Sequence, residues 1–140
     1  MGRAKLDELL QALEFVSTVP DMGNEAFLSR ESGAIFWRSE EGGDLDEVPD
    51  DIDEGDKYLS IPRKTDLGLG KPLALAFADE LSAGDARKVR EMFSRRGAYA
   101  RFRDLLENRG MLERWYEFEA AAQKHALRRW CDANGVEIDG

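Results

Sequence analysis

The side chains that most often carry out chemistry in enzymes are scarce in this sequence. Its 140 residues include one histidine, His125, and one cysteine, Cys131. A histidine base or metal ligand needs convergent partners, and a catalytic cysteine needs a base within reach. We expect His125 to be a solvated surface residue and Cys131 to be an inert, partly buried thiol, although Arg128 and Arg129 beside it could lower its pKa. We therefore predict no catalytic residues, no metal site and no cofactor.

Positive charge is concentrated between residues 87 and 103. The cations there are Arg87, Lys88, Arg90, Arg95, Arg96, Arg101 and Arg103, and the nearby acids are Glu91 and Asp104. Because arginine binds phosphate in a bidentate way, such a stripe could follow a nucleic-acid backbone. The candidate binding residues are Arg95, Arg96, Arg101 and Arg103. The alternative is a solvated helix face, partly neutralised by the protein's own acids, since a sequence pI near 4.7 is unusual for a nucleic-acid binder.

Negative charge is concentrated in a second segment, residues 40–56. It contains ten Asp and Glu residues with no Lys or Arg, whereas the net charge of the whole chain is −9. The other 123 residues therefore sum to +1. Self-repulsion and scarce apolar side chains predict a mobile loop, and its acids do not follow the spacing of an EF-hand. An acidic loop facing a basic helical half is the strongest functional lead.

The elements that must position these residues follow from hydrophobic periodicity. Leu6, Leu9, Leu10, Leu13 and Val16 have the spacing of an amphipathic helix. Two β-prone runs flank residues 30–33, where Gly33 suits the left-handed position of a bulged hairpin turn. Residues 57–62, closed by Pro62, predict a third short strand. Because a two-stranded hairpin alone is marginal, we expect this strand to join it in a small antiparallel sheet.

The second half of the sequence predicts four helices. Pro72 suits the first turn of one helix, and Asp85 could cap the start of the next. A third helix covers about 98–108, with Gly110 as its left-handed terminator. The last runs from about Leu112 to Asn134 and is predicted to turn a set of residues inward that includes Trp115, Tyr116 and Trp130.

Several short motifs, taken in order, resemble uncharacterised protein family 0158, a bacterial family of unknown function. They are Phe27-Leu28-Ser29-Arg30-Glu31-Ser32-Gly33, Tyr58 with Ile61-Pro62, Gly97-Ala98-Tyr99 leading to Phe102, Trp115-Tyr116 leading to Phe118, and Trp130 ahead of Asn134. The resemblance covers nearly the whole chain. The sequence departs from the family pattern at Ser29 and Ala34, where acids are usual. The resemblance implies a bacterial origin and a fold, but no reaction.

These observations predict a single α+β domain over residues 1–140. It comprises an N-terminal helix, a small antiparallel sheet of about three strands, a mobile acidic loop at about 40–56 and a C-terminal bundle of about four helices. No apolar run is long enough to span a membrane and no signal peptide is apparent, so we expect a cytoplasmic protein without a membrane partner. The leading functional hypothesis is a non-enzymatic binding or regulatory module with a protein partner. The alternative is a nucleic-acid-associated protein that uses the stripe at 87–103, screened by the acidic loop.

Overall fold

The computed structural model describes residues 3–17, 23–39, 43–44 and 48–140. The helices are α1 (Leu6–Val16), α2 (Lys71–Ala78), α3 (Ala83–Met92), α4 (Ala98–Asn108) and α5 (Leu112–Ala133). The strands are β1 (Arg3–Lys5), β2 (Glu25–Ser29), β3 (Ile35–Ser39), β4 (Gly43–Asp44), β5 (Tyr58–Ser60) and β6 (Glu137–Asp139). The chain divides into two compact units, residues 1–67 with 124–140 and residues 68–123.

The first unit contains a four-stranded antiparallel sheet in the order β4-β3-β2-β5. Helix α1 buries Leu6, Leu9, Leu13 and Val16, as the sequence spacing predicts, whereas Leu10 is only half-buried. Strand β5 pairs with β2 through Leu28 and is the third strand that the sequence predicts. The two residues of β4 extend this sheet at its other edge.

The turn between β2 and β3 has the predicted geometry. Gly33 has φ +78°, and its N–H donates to the Ser29 carbonyl at 2.9 Å. A Cβ atom at Gly33 would overlap the carbonyl oxygen of Arg3 in β1. Both the left-handed backbone and this close approach therefore require glycine.

A parallel pair of strands, β1 and β6, completes the first unit. Arg3 pairs with Glu137 and Ala4 with Ile138. The Arg3 guanidinium also donates to the carboxylates of Glu137 and Asp139 at 2.9 and 2.8 Å. Nothing in the sequence predicts this pair of strands.

The second unit is a group of helices around an aromatic core. Trp115 at the start of α5 packs against Phe102 of α4 and Phe77 of α2, with ring centroids 5.0 and 5.4 Å apart. All three rings are fully buried. Gly110 ends α4 with φ +67°, and the N–H of Met111 reaches back to the carbonyl of Leu106, the glycine terminator that the sequence predicts.

The α+β class, the small antiparallel sheet, the N-terminal helix and the C-terminal helical group are confirmed. Trp115 is a core residue as predicted, but Trp130 is only half-buried. The single domain over residues 1–140 stays a prediction.

The predicted mobile acidic loop lies partly outside the described residues, because 40–42 and 45–47 are not among them. Residues 48–56 form hydrogen-bonded turns that bury Ile52. The Asp51 carboxylate there accepts hydrogen bonds from Lys57 Nζ at 3.0 Å and the Tyr58 hydroxyl at 3.1 Å. The hydrogen bond from Lys57 is the main reason that the pKa of Asp51 lies below its usual range. The mobility of the segment stays a prediction.

Candidate binding site

Helices α3 and α4 are joined at one end by a bidentate ion pair. The hydroxyl of Ser82, and not Asp85 as the sequence suggested, caps α3 by accepting from the Asp85 N–H at 3.2 Å. The Asp85 carboxylate is thereby free to accept from Arg109, which follows α4, at 2.8 and 3.2 Å. The hydrogen bond from Arg109 is the main reason that the pKa of Asp85 lies below its usual value. The start of α3 and the end of α4 are therefore neighbours.

The opposite ends of the same two helices border a cleft of about 300 Å³. Its lining residues are Lys88, Glu91, Met92, Ser94, Arg95 and Arg101. Lys88 lies on α3, Arg95 in the turn that follows α3, and Arg101 in the first turn of α4. We call this feature the α3–α4 cleft. It brings together two of the four predicted binding arginines, Arg95 and Arg101.

The cations of the predicted stripe are all exposed. Lys88 lies 3.9 Å from the Asp85 carboxylate, which is already bound by Arg109. Arg87, Arg90, Arg95, Arg96 and Arg101 form no ion pair with another described residue of the second unit. Their positive charge is thus not neutralised at short range within that unit.

Arg103 lies on the other flank of α4, two residues beyond Arg101 and against α5. Its guanidinium donates to the Tyr116 hydroxyl at 2.8 Å and stands 5.8 Å from the centre of that ring, within the range of a cation–π interaction. The Tyr116 residue is 42% exposed.

Tyr99 lies one turn before Arg103 on α4 and is 39% exposed. Its ring packs edge-on against Phe93 at 5.5 Å. Partial burial, and secondarily the charge of Glu119, raise the pKa of its hydroxyl, so the phenol stays protonated and can donate a hydrogen bond. Tyr99, Arg103 and Tyr116 together are called the tyrosine–arginine patch.

The four predicted arginines therefore do not form one site. Arg95 and Arg101 share the cleft, Arg103 belongs to the tyrosine–arginine patch, and Arg96 is exposed and lines neither. Tyr116 is predicted to face inward, whereas its ring is exposed and its hydroxyl accepts a hydrogen bond from Arg103. The available signal was its position at the margin of the apolar stripe, where a ring with a polar tip can be half-buried.

The two residues considered for enzyme chemistry lie in the first unit. His125 is exposed on α5 and lines an open hollow of about 520 Å³ with Arg128 and Arg129. Cys131 is fully buried, and burial raises the pKa of its thiol to about 11 despite the neighbouring arginines. A thiol in that environment is a poor nucleophile at neutral pH.

A cavity of about 400 Å³ in the first unit is a weaker candidate. Its charged lining residues are the cations Arg30 and Lys57 and the acids Glu31, Asp51 and Asp56. These charges nearly cancel, and the Asp51 carboxylate already accepts two hydrogen bonds. The cavity therefore offers less unbalanced charge than the α3–α4 cleft.

No protein-family model, curated protein or solved structure matches this chain. The resemblance to uncharacterised protein family 0158 accordingly stays a prediction. Within the described ranges, no helix is both long and apolar enough to cross a membrane. The same ranges contain no cluster of three or more His, Cys, Asp or Glu residues that could hold a metal ion.

Proposed function

We propose that the protein is a non-enzymatic binding module whose partner is another protein. The observation that carries the proposal is the tyrosine–arginine patch. Tyrosine and arginine are among the residues that contribute most binding energy at protein interfaces. Here Arg103 is hydrogen-bonded to the exposed ring of Tyr116 and lies one helical turn after the exposed ring of Tyr99. A pre-ordered side chain loses less entropy on association.

The environments of the two potential catalytic residues support the non-enzymatic part of this proposal. Cys131 is buried and its thiol has a raised pKa, whereas His125 is exposed and six positions away. The acidic net charge also favours a protein partner over a nucleic acid, because phosphate backbones repel negative surfaces.

Affinity capture with the full chain as bait tests the proposal. Nuclease-treated lysate should still yield protein partners, and Tyr116→Ala should weaken the identified complex by about 2 kcal/mol, or roughly 30-fold, if Tyr116 is a hot spot. Arg114→Ala is the matched control, since Arg114 is exposed on the same helix outside the patch. Equal binding by the Tyr116 and Arg114 variants would refute a role for the patch.

A second candidate function is association with a nucleic acid. The specific observation in its favour is the set of exposed cations on α3, on α4 and in the turn between them that form no ion pair in their unit, including Arg95, Arg96 and Arg101. A backbone binder should lose affinity steeply as salt rises, because counterions are released from the phosphates. Fluorescence anisotropy with a labelled single-stranded oligonucleotide at two salt concentrations measures this directly. Capture that is abolished by nuclease would favour this candidate over the first.

We further propose that the protein acts in the cytoplasm. The proposal rests on the use of cysteine, because the single residue Cys131 cannot form an intramolecular disulfide, the bond typical of secreted domains.

A further inference from the structure

We infer that the α3–α4 cleft is a binding site for a phosphomonoester group. Three cationic side chains line one space of about 300 Å³: Lys88 from α3, Arg95 from the turn between the helices and Arg101 from α4. This inference is independent of the tyrosine–arginine patch, which lies on the other flank of α4.

Charge balance favours a dianion. The three cations and Glu91 together leave a net charge of +2 on the cleft lining. A phosphomonoester carries about −1.5 to −2 at pH 7, whereas a carboxylate or a phosphodiester carries one negative charge. A phosphomonoester is therefore the common biological group whose charge best neutralises this lining.

The donors are also of the right kind and are available. Arg95 and Arg101 can each present two N–H groups to phosphate oxygens, and Lys88 adds a compact charge. The two arginines form no ion pair with the described residues of their unit, so a ligand displaces little. All three cations are exposed. A bound phosphate would therefore take the place of water molecules around these charged groups.

The size of the cleft limits what accompanies the phosphate. About 300 Å³ is at the lower end of ligand pockets and holds a phosphate with a short attached group. Met92, which is half-buried, supplies an apolar wall for that group. Both a phosphorylated side chain and the terminal phosphate of a mononucleotide present this chemistry.

An NMR titration of the ¹⁵N-labelled full chain with phenyl phosphate tests the inference. At constant ionic strength, saturable shifts should map to amides around 88–101, with Kd on the order of 1 mM for so small a probe. Phenyl sulfate, a monoanion of the same shape, should bind at least about 5-fold more weakly because it has half the charge. Equal responses to the two compounds would overturn the assignment.

Variants make the test specific to the cleft. Arg95→Gln and Arg101→Gln should each weaken phenyl phosphate binding about 10-fold, the usual effect of losing a charge-assisted hydrogen bond. Arg90→Gln and Arg114→Gln are matched controls, since both residues are exposed and neither lines the cleft, and should change Kd by less than about 2-fold. Glu91→Gln should tighten binding several-fold by removing a like charge. If the Arg95 and Arg101 variants bound phenyl phosphate with the wild-type Kd, the inference would be wrong.

Three further probes separate the sources of the phosphate. Tighter binding of O-phosphoserine than of adenosine 5′-monophosphate would assign the site to phosphorylated proteins, and the reverse order would assign it to nucleotides. Failure of both to bind contradicts the inference. A dinucleoside monophosphate that binds as well as phenyl phosphate would also overturn it, because its single phosphodiester charge would then suffice.

Discussion

Burial of Cys131 determines how its thiol should react. The side chain is inaccessible and its pKa is about 11, whereas a free cysteine has a pKa of about 8.5. At pH 8 the thiolate fraction alone should make native Cys131 at least about 100-fold slower than an unfolded cysteine. The rate of a chromogenic disulfide reagent with and without denaturant measures the difference. Comparable rates would mean that the thiol is accessible in the folded protein.

Gly33 and Gly135 of the first unit both have a left-handed backbone, and we predict that Gly33 tolerates substitution less well. Gly33→Ala places a methyl group against the Arg3 carbonyl, whereas Gly135→Ala meets open space. The Gly135 variant should lose about 1–2 kcal/mol from the backbone alone, and the Gly33 variant at least about 2 kcal/mol more from the overlap. Denaturant titrations of both compare the losses. Equal losses would contradict the close approach of the turn to β1.

The split of the arginines shows what residue-level sequence reasoning can and cannot give. Arg101 and Arg103 are two positions apart, and residues at that spacing on a helix do not face each other. The helical spacing alone was sufficient to separate them. The pairing of Arg103 with Tyr116 was not foreseeable, because it depends on how α5 packs beside α4.

At the scale of helices, the ion pair between Asp85 and Arg109 should make the second unit acid-sensitive. The pKa of Asp85 is lowered in the folded protein, so its contribution to stability is complete above the unfolded pKa of about 4 and is lost as pH falls through the lower folded value. Asp85→Asn should therefore lower stability at pH 7 and flatten its decline in acid.

Thermal unfolding of the wild type and the Asp85→Asn variant between pH 2 and 7 provides the measurement. Asp104→Asn is a control on the neighbouring helix, since Asp104 is exposed. A wild-type acid profile in the Asp85 variant would show that the ion pair does not stabilise the fold.

Trp115 should contribute more to the free energy of unfolding than Trp130. Trp115 contacts Phe77 and Phe102 and is fully buried, so Trp115→Ala should cost about 3–5 kcal/mol. Trp130 is half-buried, and its truncation should cost clearly less, about 1–2 kcal/mol. Denaturant unfolding of the two variants gives the comparison, and a larger loss at Trp130 would contradict the placement of the core.

The elements were more predictable than their long-range pairing. Helices α1, α4 and α5 follow from hydrophobic period and from glycine terminators such as Gly110, and the hairpin follows from the turn at Gly33. Strands β1 and β6 are three residues each and far apart in sequence. Segments so short carry no periodicity, and nothing in either one identifies the other as its partner.

Across the whole chain, the distribution of charge should control binding to polyanions. Replacing Glu40, Glu41, Asp44, Asp46 and Glu47 with their amides changes the net charge from −9 to −4 without altering Asp51 or Ile52. Because long-range repulsion then falls, we expect tighter, salt-sensitive binding to a single-stranded oligonucleotide. Anisotropy at low and high salt measures the effect, which should vanish at about 1 M salt. No gain at low salt would exclude electrostatic screening by the acidic segment.

The pairing of β1 with β6 also determines when the first unit can be completed during synthesis. Residues 137–139 leave the ribosome after every other described element, so β1 has no partner until then. Residues 68–123 are contiguous, so the whole of the second unit is synthesised before that moment, whereas the first unit still lacks residues 124–140. Closing a flexible chain of 134 residues would cost about 4 kcal/mol in entropy. If residues 68–123 fold first, the flexible part of that loop becomes shorter. The entropy cost of pairing β1 with β6 is then smaller.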